Sequence, residues 1–238
     1  MRLLLVLVLL ATPAFGGIVK QSFTFQGQSR TYYLDVPDSA KGPAPLLVLL
    51  HGSGGNGAFI AELWKDPAER EGVILLAPDS ARTDKGWDLH TDGPDYIHDA
   101  IAEVAATHPV DYRRLYVFGQ SGGAVYALTL AMLESEYFAA IAFHAGGWRR
   151  PAEYAALNFA QRKIPIAFAV GDLDEYFPLA SVKNTERLLT EAGFPAELTV
   201  LPGRHHSLKD VPDGYLDTVW NFLKGHALSD VPRYAEYK

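Results

Sequence analysis

A serine stands between glycines in the run Gly119-Gln120-Ser121-Gly122-Gly123, directly after the apolar stretch RLYVF and directly before the helix-like run AVYALTLAML. A serine on so tight a strand-to-helix turn has its side chain lifted clear of the sheet, where it can act as a nucleophile. Glycines suit the flanks because a larger side chain would collide with the neighbouring strand or helix. A hydroxyl becomes a useful nucleophile only when a base takes its proton and a carboxylate orients that base.

The downstream histidines are His144, His205, His206 and His226. In the chain order serine, acid, histidine, His144 comes too early and reads as a sheet-end hydrogen-bonding residue. His226 reads as a helix-end cation offsetting the dipole. The loop PGRHHSLKD leaves His205 and His206 as candidate bases. The acid belongs on the loop after the preceding strand, GDLDEYFP, which offers Asp172, Asp174 and Glu175. Asp174 is the preferred orienter and Asp172 the alternative, the other acid serving as a cap or loop tie.

An oxyanion requires two backbone N–H donors. One is expected from Gly122, just after the serine, and the second from the glycine-rich His51-Gly52-Ser53-Gly54-Gly55, with Ser53 first and Gly54 next. Adjacent His205 and His206 could be metal ligands, but no second pair, thiolate or His-Glu-x-x-His helix accompanies them, so no metal or other cofactor is expected.

These residues need a scaffold that brings strand ends together. Two polar-apolar alternations, SFTFQGQ and RTYYLDVP, read as an antiparallel hairpin turning at Gly27 and Gln28. Apolar runs of strand length follow at PLLVLLHG, VILLAPD, RLYVFGQ, FAAIAFHAG, IPIAFAVGD and AELTVLPG, as expected of strands buried on both faces. Helical spacing lies between them at 59–70 (interrupted at Pro67), 96–107, 124–133, 153–161, 179–192 and 215–224. The alternation predicts an α/β fold: a mostly parallel central sheet behind an N-terminal antiparallel hairpin, helices on both faces and no cap domain. Function then belongs at the carboxyl ends of the strands.

Composition narrows the chemistry. The chain has 238 residues with 21 Lys+Arg against 28 Asp+Glu and a net charge of −7, so no basic footprint for nucleic acid exists. It has no cysteine, which excludes disulfides, thiolate metal sites and a cysteine nucleophile. Residues 1–16 carry one cation, Arg2, then an apolar run and small residues, the layout of a secretory signal peptide. That run is too short to span a bilayer, which needs about 20 residues. The expected mature chain begins at Gly17 as a single catalytic domain, secreted or periplasmic and without stable membrane insertion.

Taken in order, HGSGG, GQSGG, GDLDEYFP and PGRHHS resemble the α/β-hydrolase superfamily, and look most like its small secreted esterases of the polyhydroxybutyrate-depolymerase and feruloyl-esterase type. The resemblance covers about residues 30–225. It implies the α/β-hydrolase fold, and an acid three residues after a glycine, here Gly171 to Asp174 with Pro178. The histidine it implies ends Pro202-Gly203-x-x-His206. It implies a serine carboxylesterase acting on a small-molecule or polymer-linked ester, of feruloyl or acetyl type on sugars. Trp87 and Trp148, on strand-end loops, are the candidate residues to stack on substrate. The chain carries Gly122 where such families often carry alanine. Polyester depolymerases of this type usually carry an extra binding domain and disulfides, so depolymerisation of a polyhydroxyalkanoate or other polyester is the alternative reading. A catalytically silent hydrolase-fold binding protein is the alternative from another class.

Overall fold

The structure, a computed structural model, describes residues 17–234; the expected leader at 1–16 lies outside the described residues. The chain opens with strands β1 (Val19–Phe25) and β2 (Gln28–Asp35), paired antiparallel. Their turn is Gln26-Gly27, one residue earlier than expected, because Gln28 already pairs with Phe25; both turn residues are left-handed (φ 48° and 76°), as a tight hairpin requires. Phe23, Phe25, Tyr32 and Leu34 are the buried apolar residues of this alternating pair.

The six apolar runs form β3 (Ala44–Leu50), β4 (Ile74–Pro78), β5 (Val110–Gln120), β6 (Ala140–His144), β7 (Ile166–Gly171) and β8 (Ala196–Leu201). They join one eight-stranded sheet in the order β1-β2-β4-β3-β5-β6-β7-β8. Only the β1–β2 and β2–β4 pairs are antiparallel. β3 is buried along its whole length because both of its faces are covered. Leu46, Val48 and Leu50 meet the core under α2 (Pro94–Ala105), α3 (Gly122–Leu133) and α5 (Leu179–Glu191). Leu47 and Leu49 meet the core under α1 (Gly57–Glu71) and α6 (Tyr215–Lys224). Among the described residues no cap interrupts this alternation, and no helix is long and apolar enough to cross a membrane.

Two helices differ from expectation. α1 is not interrupted at Pro67 but runs on to Glu71, ending at the left-handed Gly72 (φ 68°). Pro67 removes one N–H bond, while Ile60, Ala61, Trp64 and Ala68 stay buried along the sheet-facing side and hold the axis. The expected helix 153–161 is instead a short α4 (Pro151–Tyr154) followed by a 3-10 turn (Ala155–Phe159). Of these residues only Ala156 is buried, so no apolar stripe holds a longer helix against the body.

Candidate active site

Ser121 sits between β5 and α3 at φ 55°, ψ −118°, a conformation that costs a non-glycine residue about 1–3 kcal/mol. The surroundings enforce it. Its N–H donates to the His144 carbonyl (3.0 Å) at the end of the adjacent β6, and its own carbonyl accepts from Ala124 (2.9 Å). A Cβ at Gly119 would lie 2.3 Å from the Gly123 carbonyl oxygen, and one at Gly123 would lie 2.1 Å from that of Leu50. Both glycines are therefore sites of close backbone approach, which is what lets the turn stand over the sheet.

The acid and the base arrive on neighbouring loops tied together at the ends of β7 and β8. A Cβ at Gly171 would lie 2.0 Å from the Arg204 carbonyl oxygen. Leu173 N–H donates to that same carbonyl (3.0 Å), and Gly203 N–H donates to Asp172 Oδ1 (2.7 Å). Within this frame Asp174 Oδ2 lies 2.9 Å and Oδ1 3.1 Å from His206 Nδ1, and His206 Nε2 lies 2.8 Å from Ser121 Oγ. The Asp174 side chain is fully buried, and its Oδ1 also accepts the Tyr176 and Phe177 amides (2.9 and 2.8 Å). Two amides and an imidazole satisfy a carboxylate that burial would otherwise penalise. The Phe177 ring stacks on His206 (5.9 Å, 9°) and Tyr176 leans on it (4.8 Å), fixing the imidazole plane.

The alternatives are placed elsewhere. Asp172 is exposed and spends its oxygen on the loop tie to Gly203. His205 is exposed and faces Glu175 at 3.6 Å, away from Ser121. His144 is fully buried, its Nδ1 3.2 Å from the Tyr215 hydroxyl. Burial, with His206 close by, pulls the His144 pKa down to about 4.

Beside Ser121 two backbone amides are open. Gly122 is the first residue of α3, so its N–H has no partner within the helix. In the 51–55 loop the Gly54 amide donates to the Thr83 carbonyl (2.7 Å) and the Gly55 amide to the Gly52 carbonyl (2.9 Å). The Ser53 amide has no such acceptor, and a Cβ at Gly122 would lie 3.3 Å from it. Ser53 and Gly122 thus present adjacent donors, and Gly54 does not. His51 shapes this loop: Ser80 N–H donates to its Nε2 (3.2 Å), so Nδ1 carries the proton and donates to the Gly52 carbonyl (2.8 Å). Burial lowers its pKa, which keeps that neutral tautomer.

The two tryptophans part company. Trp148 is fully buried, with Nε1 3.4 Å from Thr129 Oγ1 and its carbonyl accepting from Thr185 (3.2 Å). It is a core residue and cannot stack on a ligand, contrary to the expectation from its loop. Trp87 is half-buried, donates Nε1–H to the His51 carbonyl (2.8 Å) and stacks on Tyr126 (5.0 Å, 19°). It walls one end of a groove of about 460 Å³ that starts at Gly122 and runs along α3.

Sequence reasoning missed the anchor of the Trp87 loop. Arg30, on β2, pairs with Asp92 at 2.5 Å, both side chains nearly inaccessible, and lies 3.7 Å over the Tyr96 ring. Asp92 also accepts the Ala81 and Asp88 amides (2.8 and 3.0 Å), closing the loop on itself. An arginine in an alternating strand reads as solvent-facing, and only its partner across the fold says otherwise. The groove face of α3 was missed as well, although its spacing stood in the sequence.

The topology and the Ser121–His206–Asp174 geometry together define an α/β-hydrolase, a fold whose polar strand-end site can activate a serine toward acyl transfer. Within that superfamily the chain belongs to the dienelactone hydrolase family, whose model matches residues 32–215. Esterase FrsA of Yersinia pestis (strain Pestoides F) is 29% identical over 119 residues, covering 49% of this chain. The match spans only 28% of that relative's length. Among solved structures, a thermostable esterase superposes with a TM-score of 0.69 at 20% identity, over 88% of this chain and 63% of its own. A ferulic acid esterase superposes at 0.66 and 16% identity, over 88% of this chain and 97% of its own. These two share the fold.

Proposed function

We propose that the protein is a serine carboxylesterase that works through an acyl-enzyme. The observation that carries this is the continuous hydrogen-bonded line from buried Asp174 through His206 to Ser121 Oγ. In this reading Ser121 Oγ attacks the ester carbon and gives its proton to His206 Nε2. Asp174 holds the imidazole by Nδ1 and stabilises the imidazolium. The Ser53 and Gly122 amides, at the positive end of the α3 dipole, take the developing oxyanion. His206 returns the proton to the departing alcohol, and water then repeats the sequence to release the acid.

Feruloyl or acetyl esters on sugars are the proposed substrates. The sequence resemblance supports this, and a ferulic acid esterase among the solved neighbours is in keeping with it. With residues 1–16 read as a leader, the enzyme would act outside the cytoplasm.

An organophosphonate probe with a panel of nitrophenyl, feruloyl, acetylated-xylan and hydroxybutyrate esters tests the reading. Stoichiometric labelling at Ser121, with ester turnover lost in Ser121→Ala, is expected. A folded protein that neither labels nor turns over any ester would instead be the silent binding protein.

A further inference from the structure

The groove beside Gly122 has a position, a length and a lining that select one half of the substrate. We propose that it is the acyl subsite, taking an extended, largely apolar acyl chain of up to about ten carbons. This rests on the serine-esterase reading of Ser121 alone; it stands apart from the feruloyl and acetyl esters named above and ranks a longer acyl group over acetyl.

Position comes from proton delivery. The leaving oxygen must come within reach of His206 Nε2, so the alcohol half lies toward the loops 172–177 and 202–208. No residue of either loop lines the groove. The groove leaves instead from Gly122 and follows Val125, Tyr126, Thr129 and Leu133. Those positions recur at helical spacing and form one face of α3. From 122 to 133 that face is about 16 Å long at 1.5 Å per residue, enough to hold an extended chain of roughly ten carbons, which spans about 11 Å at an advance of about 1.25 Å per bond. Ala155, Ala156 and Phe159 form the opposite wall, with Trp87 and Leu89 at the near end.

Lining comes from which polar groups are already spent. Thr129 Oγ1 donates to the Val125 carbonyl (3.1 Å) and accepts from Trp148 Nε1 (3.4 Å). The Tyr126 hydroxyl donates to the Asp92 carbonyl, and Trp87 Nε1 to that of His51. Arg150 Nε pairs with Glu153 (2.8 Å), and the rest of its guanidinium, on a side chain 80% exposed, is left to solvent. Along the α3 face a sugar or a polar acyl group would find its own donors and acceptors unmatched, whereas hydrocarbon loses nothing. Phe159 and Leu89, 58% and 45% exposed, are apolar surface that such a chain would cover.

The test is kcat/KM on nitrophenyl esters with straight acyl chains from two to ten carbons, on a phenylpropenoyl ester, and on acetyl esters of alcohols of rising length. Ala155→Trp, at an exposed position on the groove wall, serves as the blocking variant, its folding checked by melting temperature. The expected result is a rise of about two- to fourfold per acyl methylene. Ala155→Trp should lose roughly tenfold or more on the eight-carbon ester and stay within about twofold on acetyl. Preference for the straight chains over the phenylpropenoyl ester is expected, and the reverse would overturn the extended chain. A flat or falling acyl series, a gain that follows alcohol length instead, or an Ala155→Trp variant with an unchanged profile would overturn the assignment while leaving an active esterase. Absence of both turnover and Ser121 labelling would overturn the esterase reading along with it.

Discussion

The backbone N–H of Ser121 donates to the carbonyl of His144 at 3.0 Å, and the ring of that same histidine is buried close to His206 and Asp174. One residue at the end of β6 thus holds the backbone of the candidate nucleophile while its side chain borders the candidate base. Burial is the main cause of its low pKa, the nearness of His206 adds to it, and Asp174 opposes it. His144 is therefore a neutral partner of the Tyr215 hydroxyl across the working pH range.

That shift has a sign. The unfolded chain protonates His144 near 6.5 and the folded chain only near 4, so between these values the unfolded state binds more protons. Stabilisation is complete above about 6.5 and falls as pH drops toward 4, by about 3 kcal/mol in all. Urea unfolding of wild type and His144→Gln at pH 7, 5.5 and 4 measures this. The wild type should lose about 3 kcal/mol more than the variant over that span; parallel losses would show that His144 does not titrate this way.

The two acids of the 171–178 loop should separate kinetically. Asp174→Asn keeps the shape but cannot hold the imidazole in the right tautomer, and kcat should fall by about 10³–10⁴ with KM little changed. Asp172→Ala removes the acceptor for Gly203 N–H (2.7 Å) on the exposed side of the same loop. It should cost about 1 kcal/mol of stability and leave kcat within roughly twofold. Steady-state kinetics and denaturant midpoints on both variants decide between them, and a reversed pattern would make Asp172 the orienter.

Gly122 is where this chain departs from the alanine common in resembling families, and the structure supplies a reason. A Cβ there would lie 2.5 Å from Ser53 Oγ and 3.3 Å from Ser53 N, pressing on the adjacent amide donor. Gly122→Ala should lower kcat by about tenfold through a displaced donor, and Ser53→Ala in the same chain should restore most of it by removing the hydroxyl in the way. An inactive double variant would mean that the methyl group itself, not the hydroxyl contact, blocks the site.

Sequence reading reached the strands and the triad residues for the same reason: both are local. Each buried strand is a contiguous apolar run, and chain order narrows the acid to the loop of Asp172, Asp174 and Glu175 and the base to His205 and His206, between which the family resemblance favours His206. Fates set by distant partners stayed hidden. Trp87 and Trp148 occupy equivalent strand-end loops in the sequence, yet Thr129 and Thr185 enclose one while the other lies between His51 and Tyr126. Pro67 reads as a helix breaker because the sheet that holds α1 straight is not in its window. The Arg30–Asp92 pair spans 62 positions, and neither end carries a local sign of burial.

That pair supports the last prediction. Arg30 and Asp92 have side-chain exposures of 7% and 1%, and Arg30 also donates to the Thr91 carbonyl (2.7 Å). Breaking a buried pair from one side leaves an uncompensated charge, so Arg30→Met should cost about 3–5 kcal/mol. Arg30→Met with Asp92→Asn removes the stranded charge while keeping an acceptor for one of the Ala81 and Asp88 amides, which use different oxygens of Asp92, and should recover part of that loss. Urea unfolding of the two single variants and the double variant gives the coupling directly. Because Asp92 closes the loop that carries Trp87, the single variant should also lose kcat/KM on long-chain acyl esters more than on acetyl esters. Equal loss on both would mean that the ion pair supports global stability and not the shape of the groove.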